Sequence, residues 1–166
     1  MGGLSPTRTS LVLLWGLCCC LPGATGAGTT NIALNRPAAQ SSTAYGGAPG
    51  RAVDGDDNPM WDGNSCTHTT NDIRDPWWRV DLGTSRSVGQ VVVTNRKDCC
   101  SDRLEGFTVD VGNNPDVTAN PTCGGPQSVV GKDVITVNCG GLTGRYVKSS
   151  QSLLHNDCNR YNVRQR

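Results

Sequence analysis

Arg96 and Arg103 flank the stretch "RKDCCSDR", which also holds Asp98 and two adjacent cysteines, Cys99 and Cys100. His68, one of two histidines, lies upstream in an acid-rich segment. A guanidinium presents a planar fork of N–H donors, and a carboxylate beside it neutralises the charge and fixes the fork's orientation. If the chain after Arg96 folds back, both forks point into one cavity, with Asp98 between them to orient one. Taken singly, the same residues also describe two solvated arginines and a surface histidine. What the two thiols do decides between these readings.

Thiol chemistry depends on the compartment. Arg8 is followed by an apolar run, "SLVLLWGLCCCL" (Ser10–Leu21), and then by the small-residue stretch "PGATGAG". This is the three-part pattern of a secretory signal peptide. The run is shorter than the about 20 apolar residues a membrane-spanning helix needs. Cleavage between Ala24 and Gly28 gives residues 1–27 as signal and 28–166 as one mature domain. Cys18, Cys19 and Cys20 leave with the signal, and six of the nine cysteines remain: Cys66, Cys99, Cys100, Cys123, Cys139 and Cys158. An even number in a secreted domain implies a disulfide framework, though the count leaves the connectivity open. Metal binding by these thiols is disfavoured, because no CxxC pair occurs and the compartment oxidises.

Neighbouring Cα atoms lie about 3.8 Å apart across a trans peptide, whereas ordinary disulfides span about 4.4–6.8 Å. Geometry alone favours a separate partner for each of Cys99 and Cys100. Joined to each other, they form a strained small ring, and such strain gathers at functional sites. The ring would set a flat, apolar sulfur surface among charged donors. That combination suits a sugar, with hydroxyls for the donors and a C–H face for the sulfurs.

The elements that must hold these groups are strands. "WWRVDL" (Trp77–Leu82), "SVGQVVVTN" (Ser87–Asn95), "GFTVDVG" (Gly106–Gly112), "DVITVNC" (Asp133–Cys139) and "GRYVKSS" (Gly144–Ser150) alternate or are rich in β-branched residues. Clusters of Gly, Pro and Asn separate them as turns. Short strands with frequent turns predict an all-β sandwich or barrel, in which function sits on loops at one end. Trp77 and Trp78 read as core or strand-packing residues, not sugar platforms, and His155 as a surface residue. Fifteen basic and fourteen acidic residues become fourteen of each without Arg8. That balance argues against nucleic acid as partner, since such domains are strongly basic.

"SCTH" (Ser65–His68), "DPWWRVDLG" (Asp75–Gly83), "TNRKDCCSDRLEGFTVDVG" (Thr94–Gly112) and "GRYV" (Gly144–Val147) together resemble the F-type lectins, or fucolectins. The likeness runs from about Asn31 to Val163, nearly the whole mature domain. The family motif is a His followed at a distance by R-x-D and a closing basic residue. Here these are His68, Arg96, Asp98 and Arg103, with the gap from His68 one residue longer than in the pattern. The resemblance implies a jelly-roll β-sandwich of the discoidin-like kind, stapled by disulfides Cys99–Cys100, Cys66–Cys158 and Cys123–Cys139. It also implies that α-L-fucose rests on the Cys99–Cys100 bridge. His68, Arg96 and Arg103 would then hydrogen-bond its hydroxyls and ring oxygen, the imidazole counted as a donor, and Trp61 would pack on the methyl.

A structural Ca²⁺ is implied beside the sugar loop, held by oxygens. Asp54 and Ser65 match side-chain ligands, and Arg51, Asp56 and Cys158 match carbonyl donors. Asn159 stands where the family has a Glu, so the expectation is a weaker site. The implied function is a secreted, extracellular fucose-binding lectin, acting in innate immune recognition or agglutination. Its partners would be fucosylated glycans on cell surfaces or glycoproteins, and it would assemble as a homo-oligomer, a trimer being the state the resemblance implies. Enzyme action is not expected: a glycosidase wants two carboxylates flanking the sugar, and this pocket is built of donors. The alternative is a discoidin-like adhesion or lipid-binding domain without fucose specificity. That reading needs apolar loop spikes, and only Met60 and Trp61 qualify, so no membrane insertion is expected.

Overall fold

The computed structural model describes residues 30–70, 73–116, 119–151 and 159–165. The signal segment, His155 and Cys158 lie outside them. Five antiparallel strands are formed: β1 (Ala38–Gln40), β2 (Trp77–Asn95), β3 (Thr108–Gly112), β4 (Val134–Ser150) and β5 (Asn159–Gln165). Among the described residues no helix is long and apolar enough to cross a membrane.

The sequence segments Trp77–Leu82 and Ser87–Asn95 do not form two strands. They are two halves of β2, joined through a register shift between Asp81 and Arg86. Asp133–Cys139 and Gly144–Ser150 are likewise joined in β4. Glycines read as turn signals absorb the change of direction while the ladder continues: Gly83 has φ 84°, and Gly140 and Gly141 have φ 62° and 87°. These left-handed values cost glycine little.

The first half of β2 pairs with β1 on one side and with Tyr146–Ser150 of β4 on the other, and β3 pairs with that same part of β4. The second half of β2 pairs with β5 and with Val134–Asn138 of β4. Thus β2 and β4 run through both layers of an all-β sandwich. Between the layers lie the alternate residues of every strand except β1: Trp78, Val80 and Leu82, Val91 and Val93, Val109 and Val111, Val137 and Val147, and Val163. All are nearly fully buried, and each aliphatic or aromatic side chain so buried contributes about 1.5–3 kcal/mol. As expected, Trp78 is a core residue, with its indole N–H on the Pro49 carbonyl at 2.9 Å. Half-buried Trp77 packs near the Arg79 guanidinium at 5.7 Å. Cys123 and Cys139 are bonded to each other and tie the segment after β3 to β4.

The site is built on loops at one end. Leu104, 1% exposed, anchors the 3₁₀ turn Ser101–Leu104 in the core. That anchor folds the chain back after β2 and brings Arg103 toward Arg96.

Candidate functional site

Arg96 is the first residue after β2. Its Nε and Nη2 donate to the two carboxylate oxygens of Asp98 at 2.8 and 2.7 Å. These bonds hold the Asp98 carboxyl down to about 2, so the pair stays ionised at any physiological pH. Asp98 Oδ1 also accepts the backbone N–H of Trp61 at 3.3 Å. The guanidinium of Arg96 lies over the Trp61 ring, 5.3 Å from its centroid.

Cys99 and Cys100 are bonded to each other, with Cα atoms 3.8 Å apart. Of the arrangements left open by the cysteine count, this is the one geometry alone disfavoured. Cys100 has φ 59°, a left-handed conformation that costs a non-glycine residue roughly 1–2 kcal/mol. It caps the turn that carries Arg103, whose N–H donates to the Cys100 carbonyl at 3.2 Å. Cys66 is also disulfide-bonded; the expected partner, Cys158, lies outside the described residues.

His68 is 4% exposed. The loop Ala44–Gly47 lies against it: the Ala44 N–H donates to the His68 carbonyl at 3.0 Å and the His68 N–H to the Gly47 carbonyl at 2.9 Å. A Cβ on Gly47 would sit 2.6 Å from both N and Cβ of His68, so only glycine permits this approach. Tyr45 and Trp61 meet the imidazole edge-on, with centroids 5.2 and 5.4 Å away.

His68 Nδ1 is 2.6 Å from the Thr69 carbonyl oxygen. A carbonyl only accepts, so Nδ1 carries the proton and Nε2 of the neutral ring is an acceptor. Burial, above all, lowers the pKa of the ring below the ordinary 6.5; the Thr69 hydrogen bond opposes this, and Arg96 and Arg103 lower it further, so the ring is neutral at neutral pH. The sequence reading counted the imidazole as a donor; the Thr69 carbonyl reverses that role.

Together these residues enclose a cavity of about 330 Å³ lined by Tyr45, Trp61, His68, Arg96, Arg103 and the Cys99–Cys100 bridge. Six residues singled out in the sequence line it, and Asp98 stands behind Arg96 as its orienting partner. Tyr45 was missed. It is 76% exposed with φ 47°, and its one signal was being the sole aromatic in "SSTAYGGAPG". Met60 is exposed, but Trp61 is folded between Arg96 and His68 and is no spike for a membrane.

Below His68, the buried Ser65 hydroxyl lies 3.2 and 3.0 Å from the Asp54 carboxylate oxygens and 3.2 Å from the Asp56 carbonyl oxygen. Asp54 Oδ1 also accepts the Asp56 backbone N–H at 2.9 Å, and this gathering of hard oxygens is of the kind that suits a cation such as Ca²⁺. Arg51 is in the adjoining 3₁₀ turn Pro49–Val53. Among the described residues no three His, Cys, Asp or Glu side chains meet as a metal cluster, so a shell here would draw on carbonyl and hydroxyl oxygens beside Asp54. Asn159 opens β5 opposite Asn95; its side chain, like Cys158, lies outside what is described.

The family described as NedA-like, galactose-binding domain matches residues 51–149. Fucolectin-5 of Anguilla japonica is 37% identical over 70% of this chain and 66% of its own length. Fucolectin-1 of the same species is 36% identical over 70% of each. Among solved structures, the fucolectin from Morone saxatilis serum superposes with a TM-score of 0.76 at 32% identity, covering 83% of this chain and 49% of that one. A Streptococcus pneumoniae fucose binding module gives 0.70 at 31% identity, covering 84% and 98%. The sandwich, the loop-borne pocket and these likenesses agree, and the chain belongs to the fucolectin, or F-type lectin, family.

Proposed function

We propose that the protein is a secreted lectin whose pocket holds the terminal α-L-fucose of cell-surface or glycoprotein glycans, in innate recognition or agglutination. One observation carries the reading: two arginine forks and a neutral imidazole converge over a disulfide plate. A sugar hydroxyl has one proton to donate and two lone pairs to accept with. Arg96 and Arg103 would donate to the lone pairs, and His68 Nε2 would take the proton, so a single axial hydroxyl satisfies all three. The sulfurs of Cys99 and Cys100 would lie under the apolar edge of the ring, and Trp61 beside the methyl. The relatives named fucolectin and fucose binding module support this assignment. A sugar without that hydroxyl leaves desolvated donors unpaired and is rejected. Enzyme action is not part of this reading: a glycosidase wants two carboxylates flanking the sugar, and Asp98, behind Arg96, is committed to that arginine.

The reading includes a structural Ca²⁺ held by Asp54, Ser65 and the carbonyls of Arg51, Asp56 and Cys158, with Asn159 in place of an acid. When bound, the ion would supply positive charge that orders the oxygens around it. The residues from Asp54 to His68 would then hold Trp61 and His68 at the pocket.

Arg96→Ala tests the site. Hydrogen bonds to charged groups contribute about 1.5–3 kcal/mol each, so the folded variant should lose at least tenfold in fucose affinity by calorimetry and no longer be retained on a fucose column. Retention equal to wild type would remove the assignment.

A further inference from the structure

We propose that Asn95 and Gln151 are positioning residues that set the separation and aim of Arg96 and Arg103. The proposal rests on the fucose reading above. Asn95 is the last residue of β2 and is 1% exposed. Its Oδ1 accepts the Arg96 N–H at 2.8 Å, and its Nδ2 donates to the Ser101 carbonyl at 2.8 Å. One buried amide thus ties the residue entering the sulfur loop to the residue leaving it. Only Asn among side chains of this size both donates and accepts from fixed positions: Asp would keep the Arg96 bond and lose the Ser101 bond, and Leu would lose both.

Gln151 follows β4 and is 9% exposed. Its Nε2 donates to the Arg103 carbonyl at 2.6 Å. Its own backbone N–H donates to the Pro76 carbonyl at 3.2 Å, which fixes the amide to the start of β2. The loop therefore hangs from two strands. Asn95 holds it at Arg96 and Ser101, and Gln151 holds it at Arg103.

Neither amide lines the cavity, so neither touches the sugar. Their effect is on the spacing of two forks that must meet on one oxygen. Preorganisation of this kind raises affinity by removing the cost of ordering the loop on binding. It also sharpens rejection of a sugar whose hydroxyl points elsewhere, because a loosened fork can follow the wrong hydroxyl.

The experiment uses the oxidised, secreted protein and titration calorimetry with L-fucose and its 4-epimer, 6-deoxy-L-glucose. The variants are Gln151→Met, Asn95→Asp, Asn95→Leu and Arg103→Lys alone, and each of the first three combined with Arg103→Lys, and melting temperatures are recorded for all. Gln151→Met and Asn95→Asp should each bind fucose about tenfold more weakly, the fold-change of one lost buried hydrogen bond. Asn95→Leu, which loses two, should bind more weakly still, and all three should discriminate less against the epimer. In the Arg103→Lys background, Gln151→Met should cost clearly less than it does alone, since the fork it positions is already altered. A residue acting only through global stability would lower the melting temperature and show no such coupling. If Asn95→Leu does not fold, Asn95→Asp and Gln151→Met decide the matter. Wild-type affinity in the folded variants, or full multiplication of the penalties with Arg103→Lys, would overturn the positioning role. Absence of fucose binding by the wild type would instead overturn the lectin reading on which it stands.

Discussion

His68 concentrates the chemistry of the pocket in one proton. Its neutral form accepts; its protonated form donates and sets a third cation beside Arg96 and Arg103. Because burial depresses its folded pKa below the ordinary 6.5, fucose affinity should hold from neutral pH through 6.5 and fall only in the more acidic range where the folded ring finally protonates. Asp98 titrates at about 2 and adds nothing in that range. The same depression links pH to stability. Above 6.5 neither the folded nor the unfolded ring carries the extra proton; below it the unfolded chain takes one up first, so stability declines with acidification until the folded pKa is passed. Titration calorimetry across this range should show an acid limb in the wild type that His68→Gln lacks, since an amide oxygen accepts at every pH. A limb unchanged in that variant would assign it to another group. The role of His68 was half legible in the sequence. Its type and place before the arginines marked it as a polar group of the site, but its tautomer is written by the Thr69 carbonyl, a backbone atom that no residue pattern exposes.

Among the elements, alternation in "WWRVDL", "FTVDV" and "VITVNC" showed which residues face the core, because a half-buried strand must alternate. It did not show that two pairs of those strands are continuous, because glycine marks a turn and a bend in an unbroken ladder with the same letter. The loops from Asp54 to His68 and from Arg96 to Arg103 were legible as chemistry, and their mutual approach was implied only through the family resemblance, since no residue pattern shows Trp61 meeting Arg96 and Asp98. The calcium proposal belongs to the first of these loops. Extracellular sites work at about 10⁻⁴–10⁻³ M, and under this proposal an amide at Asn159 in place of an acid would weaken the set. Chelation should therefore lower the melting temperature and fucose affinity together, and Asn159→Glu should raise the melting temperature in millimolar Ca²⁺. A chelator that changes neither quantity, with no calorimetric heat from the ion, would mean that the Ser65–Asp54 hydrogen bonds and the Cys66 disulfide hold the loop unaided.

For the whole molecule, the described residues form one such pocket, and one pocket cannot bridge two cells. Agglutination, part of the proposal above, would need several such pockets joined, and linking sites raises apparent affinity by about 10²–10⁴ without any new contact. Light scattering should give a multiple of the single-chain mass, and agglutination of fucose-bearing cells should be inhibited by free L-fucose. A monomer that agglutinates at the same concentrations would contradict the oligomer. The passage of β2 and β4 through both layers carries a different consequence. A sandwich of two separate sheets can open like a book along its core, one cover keeping its hydrogen bonds while the other frays. Here the spine is stitched through both covers. Slow amide exchange should therefore rise and fall as one block along Trp77–Asn95 and Val134–Ser150, and a protease that waits for a half-open molecule should find almost none to cut.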